Sequence, residues 1–393
     1  METSRILITC AKGMLPFLKE ELVGLRVPIL TESVAGIEIE GTLQDTMNYN
    51  LLVRTGHRVL FLLEEFNARD PDQLYTRTRE IPWEDYIDED GYMCVTSSVD
   101  SAAIKDSRYA NVKVKDAVVD RMMEKCGRRP DSGPDRKGTV IHLHWKKEYC
   151  WLYLDTSGEP LVRRGYRKIP FRAPMQETLA AAVVMATGWH GAGNFVNPMC
   201  GSGTLAIEAA LIALDRAPGL LRSNYGFLHI KGIDTSSWQA LRSKARAKGK
   251  KSFNGRIIAT DTSPEAVKAA RHNATTAGVA HLIEFGTCDY SVTPVPDGGG
   301  VVVMNPEYGN RLGEIKTLEG IYRGIGDYFK QKCKGYRGYI FTGNPDLAKK
   351  VGLRTKRKIP FFNSTIECRL LEYELYEGSR KPAKTKDARA STP

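Results

Sequence analysis

The sequence predicts an α/β protein in which a doubly wound parallel sheet follows a module of mixed helices and strands. From about residue 174 onward, short apolar strands alternate with helices, as in βαβ units. The first 160 residues lack that regular alternation, and a glycine-rich turn joins a strand to a helix near residue 200. Because 393 residues exceed what one hydrophobic core usually organises, we expect two or three domains.

The composition is typical of a globular cytoplasmic protein. Apolar residues make up 42% of the chain, and the longest apolar stretch, residues 179–186, is far shorter than the ~20 residues that span a bilayer. The first residues lack the apolar core of a signal peptide. Eight scattered cysteines form no CxxC pair, which favours free thiols in a reducing compartment. We therefore expect a cytoplasmic location and no membrane partner.

Positive charge is the feature that points to a polyanionic partner. Lys and Arg total 57 against 46 Asp and Glu, a net charge of +11, which favours binding to nucleic acid. The charge is concentrated in three clusters, each of which alone would be typical of a solvated face. Together they favour RNA or DNA. The clusters are Arg163, Arg164, Arg167, Lys168 and Arg172; Arg242, Lys244, Arg246, Lys248, Lys250 and Lys251; and Lys349, Lys350, Arg354, Lys356, Arg357 and Lys358.

The N-terminal module is predicted from short apolar runs and one amphipathic helix. The predicted strands are 6–10, 36–40, 59–63, 91–97 and 139–145, the predicted helices are 16–22 and 111–125, and 131–138 is predicted as a loop. His142 and His144 share one face of a strand, a spacing that two metal ligands could use. No third ligand lies near them in sequence, so we expect no metal.

The C-terminal half supplies the parallel strands. The predicted helices are 176–187 and 204–214. One predicted strand ends at 195–197, and the others are 256–260, 282–285, 301–304 and 338–342. Ser263 and Pro264 are the expected N-cap and first residue of a further helix. Segments 356–362 and 365–370 predict an antiparallel hairpin at the sheet edge, turning at 363–364, and the polar tail 379–393 is predicted to be disordered.

The glycine turn is the first part of a two-part site. Gly201 and Gly203 lie where a strand meets a helix, and glycine lets the backbone approach a ligand closely. The turn also fits the dinucleotide-binding pattern G-x-G-x-x-A, which remains an alternative. That pattern expects an acid about 20 residues later, whereas the strand-end acid here is Asp261, 58 residues after Gly203. Polar residues also end the next strands, at Asp289 and Asn305, which favours a ligand site along this edge.

The second part of the site is the segment Asn305-Pro306-Glu307-Tyr308, which follows the apolar strand 301–304. An exocyclic amine on a nucleobase is a poor nucleophile because its lone pair is delocalised into the ring. The Asn305 side-chain oxygen and the Pro306 carbonyl can accept its two hydrogens, and Tyr308 offers a ring for stacking. Asn-Pro turns also occur in proteins without catalysis. Here the Asn305–Tyr308 segment follows the glycine turn by about 100 residues, and that combination favours methyl transfer from S-adenosylmethionine to a planar base.

These motifs resemble those of the class I RNA methyltransferases that carry a THUMP domain, and among them the bacterial 23S ribosomal RNA guanine-N2 methyltransferases. Segment 107–117 resembles the family's THUMP helix, Arg164-Gly165-Tyr166-Arg167 its junction, 174–182 its entry helix, and 215–220 the segment after the cofactor motif. The resemblance runs from about residue 5 to 376. It implies a Rossmann-like class I methyltransferase sheet preceded by an α+β ferredoxin-like and THUMP module for RNA.

The resemblance also implies domain boundaries and site residues. The implied domains are a ferredoxin-like segment (1–65), a THUMP domain (66–160), a basic linker (161–173), the methyltransferase domain (174–378) and the tail (379–393). The implied cofactor-binding residues are Asn197, Gly201 and Gly203 near the methionine part, Asp261 at the ribose and Asp289 near the adenine amine, together with Pro198 and Thr204. The implied acceptor-binding residues are Asn305, Pro306 and Tyr308.

Two positions depart from the family pattern. The acceptor motif usually has a second proline where this chain has Glu307, which removes a fixed φ and adds a carboxylate. The family tends to have an acid where Asn197 stands.

The implied activity is methylation of a guanine N2 amine in ribosomal RNA without a metal or an obligate protein partner. The alternatives are adenine N6 methylation and a noncatalytic RNA-binding or ribosome-assembly factor.

Overall fold

A computed structural model describes residues 3–104, 106–171, 174–309 and 312–376. Arg172 and the predicted tail 379–393 lie outside these ranges. Among the described helices, none has the length and apolar content needed to cross a bilayer.

The described residues form fifteen strands and ten α-helices. The strands are β1 (Thr3–Cys10), β2 (Ile29–Ser33), β3 (Gly36–Thr42), β4 (Gly56–Asn67), β5 (Tyr92–Asp100), β6 (Asp131–Ser132), β7 (Thr139–Lys146), β8 (Tyr149–Asp155), β9 (Asn194–Pro198), β10 (Ile257–Asp261), β11 (Ile283–Thr287), β12 (Gly300–Met304), β13 (Tyr336–Thr342), β14 (Arg357–Asn363) and β15 (Ile366–Glu374). The helices are α1 (Leu15–Gly24), α2 (Asp45–Leu52), α3 (Pro71–Glu80), α4 (Ser107–Cys126), α5 (Glu177–Ala186), α6 (Thr204–Ala213), α7 (Thr235–Lys248), α8 (Pro264–Thr276), α9 (Leu312–Lys332) and α10 (Pro345–Lys349).

The N-terminal sheet has the order β2-β3-β1-β4-β8-β7-β5-β6. β5 and β7 are parallel and are joined through α4, whereas β1, β3, β4 and β8 pair antiparallel. Helices α1 to α4 pack on one face, where Ile6 and Ile8 are buried. Successive strand side chains point to opposite faces, so Leu7 lies on the other face, with Leu60 and Tyr153. The predicted mixed α and β module is confirmed.

The C-terminal sheet has the order β11-β10-β9-β12-β13-β15-β14. The five strands from β11 to β13 are parallel, and β15 and β14 add antiparallel at one edge. Helices α5, α6 and α8 cover one face and α9 and α10 the other. The predicted Rossmann-like, doubly wound sheet is confirmed, and its topology brings the carboxyl ends of β9, β10, β11 and β12 to the same edge.

The structure corrects several local predictions. The edge hairpin is present, but it turns at Ser364 and Thr365, since Asn363 pairs with Ile366 and Ser364 has φ 57°. The predicted loop 131–138 begins with β6, two residues that pair with β5. Sequence analysis missed β2, β8, α2, α3, α7, α9 and α10.

The predicted basic cluster at 163–172 is a basic face only in part, because Arg163 and Lys168 are exposed whereas Arg164 is buried and Arg167 is half-buried. Arg164 is only 2% exposed, and its Nε donates to Glu208 Oε1 at 2.8 Å. Tyr166 donates to the same oxygen at 3.0 Å. The other end of the Arg164 guanidinium donates to the backbone oxygen of Arg54 at 2.7 Å, and Arg167 pairs with Glu177. Arg164 and Tyr166 therefore join the N-terminal module to α6, and of the described cluster only Arg163 and Lys168 present charge to solvent.

The segment between α6 and β10 packs into the apolar core of the N-terminal module. Trp238 of α7 packs edge-on against Tyr225 and Phe227, with ring centroids 5.3 and 4.9 Å away. All three lie in the cluster that contains Ile6 and Ile8 of β1. The chain between α6 and β10 thus anchors the C-terminal sheet on the N-terminal one.

Candidate active site

The turn after β9 is shaped by glycines with left-handed backbone. Gly203 has φ +83°, and a methyl group added there would lie 2.8 Å from the Ala270 Cβ of α8. Gly201 has φ +54°, but nothing lies within 4 Å of the corresponding methyl position. Gly203 therefore allows α6 and α8 to pack closely, whereas Gly201 borders open space in which a ligand can approach the backbone.

Asp261, the last residue of β10, ties this turn to the sheet edge. Its Oδ2 accepts from the Gly201 backbone N–H at 2.9 Å, and its Oδ1 accepts from that of Ser263 at 3.0 Å. Each carboxylate oxygen has two lone pairs, so Asp261 retains capacity for hydroxyl donors. Asp289 follows β11 on the same edge; it is exposed, and its Oδ1 accepts from the backbone N–H of Ser291 at 2.9 Å.

Asn197 is the buried polar group of the site. It is fully buried near the end of β9, and its Nδ2 donates to the Val303 carbonyl of β12 at 2.8 Å. Its Oδ1 is also buried and has no partner among the described residues. A buried acceptor without a donor is costly, so this oxygen suits a ligand N–H. Pro198 beside it is buried, and the Thr204 hydroxyl accepts from Arg167 at 3.2 Å.

The acceptor motif is closed on itself in this structure. The Tyr308 hydroxyl donates to Asn305 Oδ1 at 2.8 Å, and the Tyr308 ring centroid lies 6.3 Å from that of Phe341. Burial raises the pKa of Tyr308, so its hydroxyl stays a neutral donor. Sequence analysis expected Asn305 and Tyr308 to face the substrate separately. Instead the Tyr308 hydroxyl is hydrogen-bonded to the Asn305 side-chain oxygen, while Pro306 is buried and Glu307 is exposed.

Two residues that sequence analysis missed hold the acceptor loop. Asn344 donates through Nδ2 to the Tyr308 carbonyl at 2.9 Å, and Tyr322 donates to the Glu307 carbonyl at 3.3 Å. The Asn344 Oδ1 caps α10. A signal for Asn344 was present, because an Asn-Pro pair follows the apolar strand β13 just as Asn305-Pro306 follows β12.

The site residues form a row along one edge of the sheet. In strand order the row runs Asp289 after β11, Asp261 on β10, Asn197 on β9 and Asn305 after β12. Strands lie about 4.8 Å apart, so the row spans roughly 14 Å. Contact between Asn197 and Val303 joins the glycine turn to the strand that carries the acceptor motif.

Comparison with known proteins agrees with this architecture. Residues 164–372 match the family described as RMKL-like, methyltransferase domain; residues 68–155 match the THUMP domain, and residues 5–60 match the RlmL ferredoxin-like domain. The fold is shared with SMU.472, solved in complex with SAH, at 25% identity and a TM-score of 0.87, covering 96% of this chain and 100% of that one. It is shared as well with a predicted N6-adenine-specific DNA methylase from Listeria monocytogenes, at 29% identity and a TM-score of 0.84, covering 95% and 97%.

Curated relatives extend over nearly the whole chain. A ribosomal RNA large subunit methyltransferase K/L from Syntrophotalea carbinolica is 38% identical over 379 residues, 94% of this chain and 53% of that protein. The protein of that name from Psychromonas ingrahamii is 36% identical over 96% of this chain and 50% of its own length. This chain thus spans about half the length of these relatives. The match over more than half of its residues shows that the chain belongs to the RMKL-like methyltransferase domain family.

Proposed function

We propose that this chain transfers the methyl group of S-adenosylmethionine to the N2 amine of a guanine in 23S ribosomal RNA. The observation that carries the proposal is the buried Asn197 Oδ1, which lacks a donor and lies one strand away from the acceptor motif at Asn305. The names of the curated relatives support ribosomal RNA as the substrate. The THUMP match supports RNA binding by the N-terminal module.

The polar row fits an extended nucleoside cofactor. A span of roughly 14 Å suits a molecule with an adenine at one end and an amino acid at the other. Asp289 would accept from the adenine amine, Asp261 from the ribose hydroxyls and Asn197 Oδ1 from the ammonium group. Open space beside Gly201 leaves room for the methionine part. The bound cofactor supplies a methyl group on a positively charged sulfur.

The acceptor loop would position the amine for attack. Asn305 Oδ1 and the Pro306 carbonyl accept its two hydrogens, which favours a localised lone pair on nitrogen. The Asn305 oxygen has two lone pairs, so it can accept from the amine while the Tyr308 hydroxyl still orients it, or after Tyr308 turns toward the base. Catalysis then comes from positioning and from contacts that strengthen as charge develops.

Helix α7 offers the strongest phosphate-binding surface. No acidic residue occurs between Asp234 and Asp261, a stretch that contains seven Lys and Arg. Lys244, Arg246, Lys250 and Lys251 are exposed. The third predicted cluster differs, because four of its members pair with carboxylates: Lys349 with Asp346, Lys350 with Glu319, Lys356 with Glu374 and Arg357 with Glu372.

The test is labelled methyl transfer to 23S ribosomal RNA from cells that lack this protein, followed by a nucleoside digest. We expect N2-methylguanine. Asn305→Ala should lower kcat about hundredfold, since one preorganised polar contact contributes about 3 kcal/mol in the transition state. Its affinity for S-adenosylhomocysteine should stay unchanged, because Asn305 belongs to the acceptor side.

Two other results would replace this proposal. Only N6-methyladenine in the digest would favour adenine, the base named for the Listeria relative. Cofactor binding without transfer, on both naked RNA and partly assembled ribosomal particles, would favour a noncatalytic RNA-binding factor.

A further inference from the structure

The β14–β15 hairpin projects past the edge of the sheet that carries the site. Thr342, the last residue of β13, pairs with Arg369 of β15, yet β15 begins three residues earlier, at Ile366. At about 3.4 Å per residue, the hairpin tip stands about 10 Å beyond the edge. The hairpin therefore forms a wall on the acceptor side of the site.

This wall contacts the acceptor motif at Gly343. A methyl group added to Gly343 would lie 2.9 Å from Ile366 Cγ2, 3.1 Å from Tyr308 Cδ2 and 3.4 Å from Cys368 Sγ. The hairpin tip and the Tyr308 ring thus meet over a glycine that leaves no spare room. Anything bound against Asn305 and Tyr308 has the hairpin as its neighbour.

The N-terminal module reaches the same wall through the loop between β1 and α1. Phe17 stacks on Phe361, with ring centroids 5.4 Å apart and planes 10° apart. Gly13 has φ +85°, and a methyl group there would lie 3.1 Å from the Pro360 carbonyl oxygen. Beside it, the Lys12 Nζ lies 4.3 Å from the centroid of the Phe362 ring.

Lys12 and Phe362 are accessible from solvent. Lys12 is exposed and Phe362 is half-buried. Among the described residues, no carboxylate lies within ion-pair distance of Lys12, so the Phe362 ring is its visible partner. An exposed cation–π contact is weaker than stacking of a nucleobase on an aromatic ring, and a base that stacked on Phe362 would displace the flexible ammonium group toward the phosphate beside that base.

We propose that Lys12 and Phe362 bind the nucleotide next to the target guanine, with its base on the Phe362 ring and its phosphate at Lys12. A target base must leave its stack to reach an active site. The adjacent base then loses a stacking partner, and the Phe362 ring would take its place. The inference rests on the proposed RNA substrate. It assigns part of the substrate site to the N-terminal module, which a methyltransferase domain alone would lack.

Phe362→Leu and Phe362→Tyr separate stacking from packing. The probe is deproteinised 23S ribosomal RNA from cells lacking the protein, with direct binding and methyl transfer both measured. Phe362→Leu keeps an apolar side chain but loses the ring, and we expect its Kd for the RNA to rise about tenfold, as for one stacked base. Phe362→Tyr should restore wild-type binding. Affinity for S-adenosylhomocysteine and the melting temperature of both variants should match the wild type.

Lys12→Ala tests the phosphate contact. Loss of one contact to single-stranded RNA should reduce the slope of log K against log salt by about 0.7. The matched control is Lys330→Ala on α9, an exposed lysine outside the three basic clusters whose Nζ lies 3.5 Å from Asp327 Oδ1; it should leave the transfer rate and the salt slope unchanged. The inference would be overturned if Phe362→Leu bound the RNA as tightly as the wild type and Lys12→Ala kept the wild-type salt slope. Normal binding by the wild type without any transfer would instead overturn the proposed activity.

Discussion

Asn197→Asp is the sharpest test of how the cofactor is bound. The substitution replaces only the Nδ2 group, which now donates to the Val303 carbonyl at 2.8 Å. It also supplies the acid that the family resemblance leads us to expect at this position. Two opposite effects are therefore expected, one on the ligand-free protein and one on the complex.

The ligand-free protein should lose stability. Removing the donor leaves the buried Val303 carbonyl without its partner and places a carboxyl oxygen against it, which costs about 2 kcal/mol. At about 3 °C per kcal/mol for a domain of this size, the melting temperature should fall by about 6 °C. Burial raises the pKa of the new carboxyl group, so the loss should be smaller at low pH, where the protonated group can donate again.

The complex should gain affinity. A hydrogen bond to a charged group contributes about 1.5 to 3 kcal/mol. This exceeds the contribution of a hydrogen bond to a neutral amide oxygen by about 1.4 kcal/mol, which corresponds to a tenfold change in Kd. We expect S-adenosylhomocysteine, which carries the same ammonium group, to bind about tenfold more tightly at pH 8. The gain should shrink as the pH falls and the new carboxyl group becomes protonated.

Calorimetry with S-adenosylhomocysteine and thermal unfolding measure the two effects. The matched control is Asn194→Asp at the other end of β9, where a buried Nδ2 donates to the carbonyl oxygens of Asp297 and Gly299 at 2.9 and 3.1 Å. The control should lose stability without any gain in affinity. If Asn197→Asp behaved like the control, the ammonium group would have to bind elsewhere, and the assignment of Asn197 would be refuted.

Three further predictions concern RNA binding, packing and pH. Changing both Lys244 and Arg246 to Gln should reduce the salt slope of RNA binding by about 1.4, whereas an unchanged slope would exclude α7 as a phosphate-binding surface. Gly203→Ala should lower the free energy of unfolding by about 2 kcal/mol, because its φ is +83° and its methyl group would overlap Ala270; denaturant titration measures this. Burial lowers the pKa of His142 to about 3, so the unfolded chain binds more protons and stability falls as the pH drops from about 6.5 toward 3. His142→Gln should flatten that dependence, and an unchanged pH profile would contradict the reasoning.

Local patterns made the sheet and the edge of the site predictable. Short apolar runs at 257–259 and 301–304, just before Asp261 and Asn305, indicated buried parallel strands, and parallel topology alone brings their ends together. Helix α7 was missed because its charges obscured a sparse apolar stripe. Only Trp238 and Ala245 are buried on it, and the partly buried Leu241 is the one further α7 residue that packs against the same core.

Long-range pairing was not predictable from the sequence. Arg164 was counted as surface charge because its partner Glu208 is 44 residues away and on another element. The contact between Tyr308 and Asn305 depends on the packing of the tyrosine ring against Phe341, which no local pattern contains. Such partners determine whether a polar side chain faces a ligand or another residue.

Long-range partners also bear on Glu307, which stands where the family pattern has a second proline. A second proline would fix the loop through its ring, but here the Glu307 carbonyl accepts from Tyr322 and the Tyr308 carbonyl accepts from Asn344. These bonds maintain the loop shape without the proline. The Glu307 side chain is exposed, and a charge 4 Å from another in water contributes about 1 kcal/mol, against about 3 kcal/mol for the Asn305 contact. If transfer proceeds as proposed, the amine becomes positive as the methyl group arrives, so a carboxylate at that distance would favour the reaction; we expect Glu307→Gln to lower the rate by less than the roughly hundredfold loss expected for Asn305→Ala.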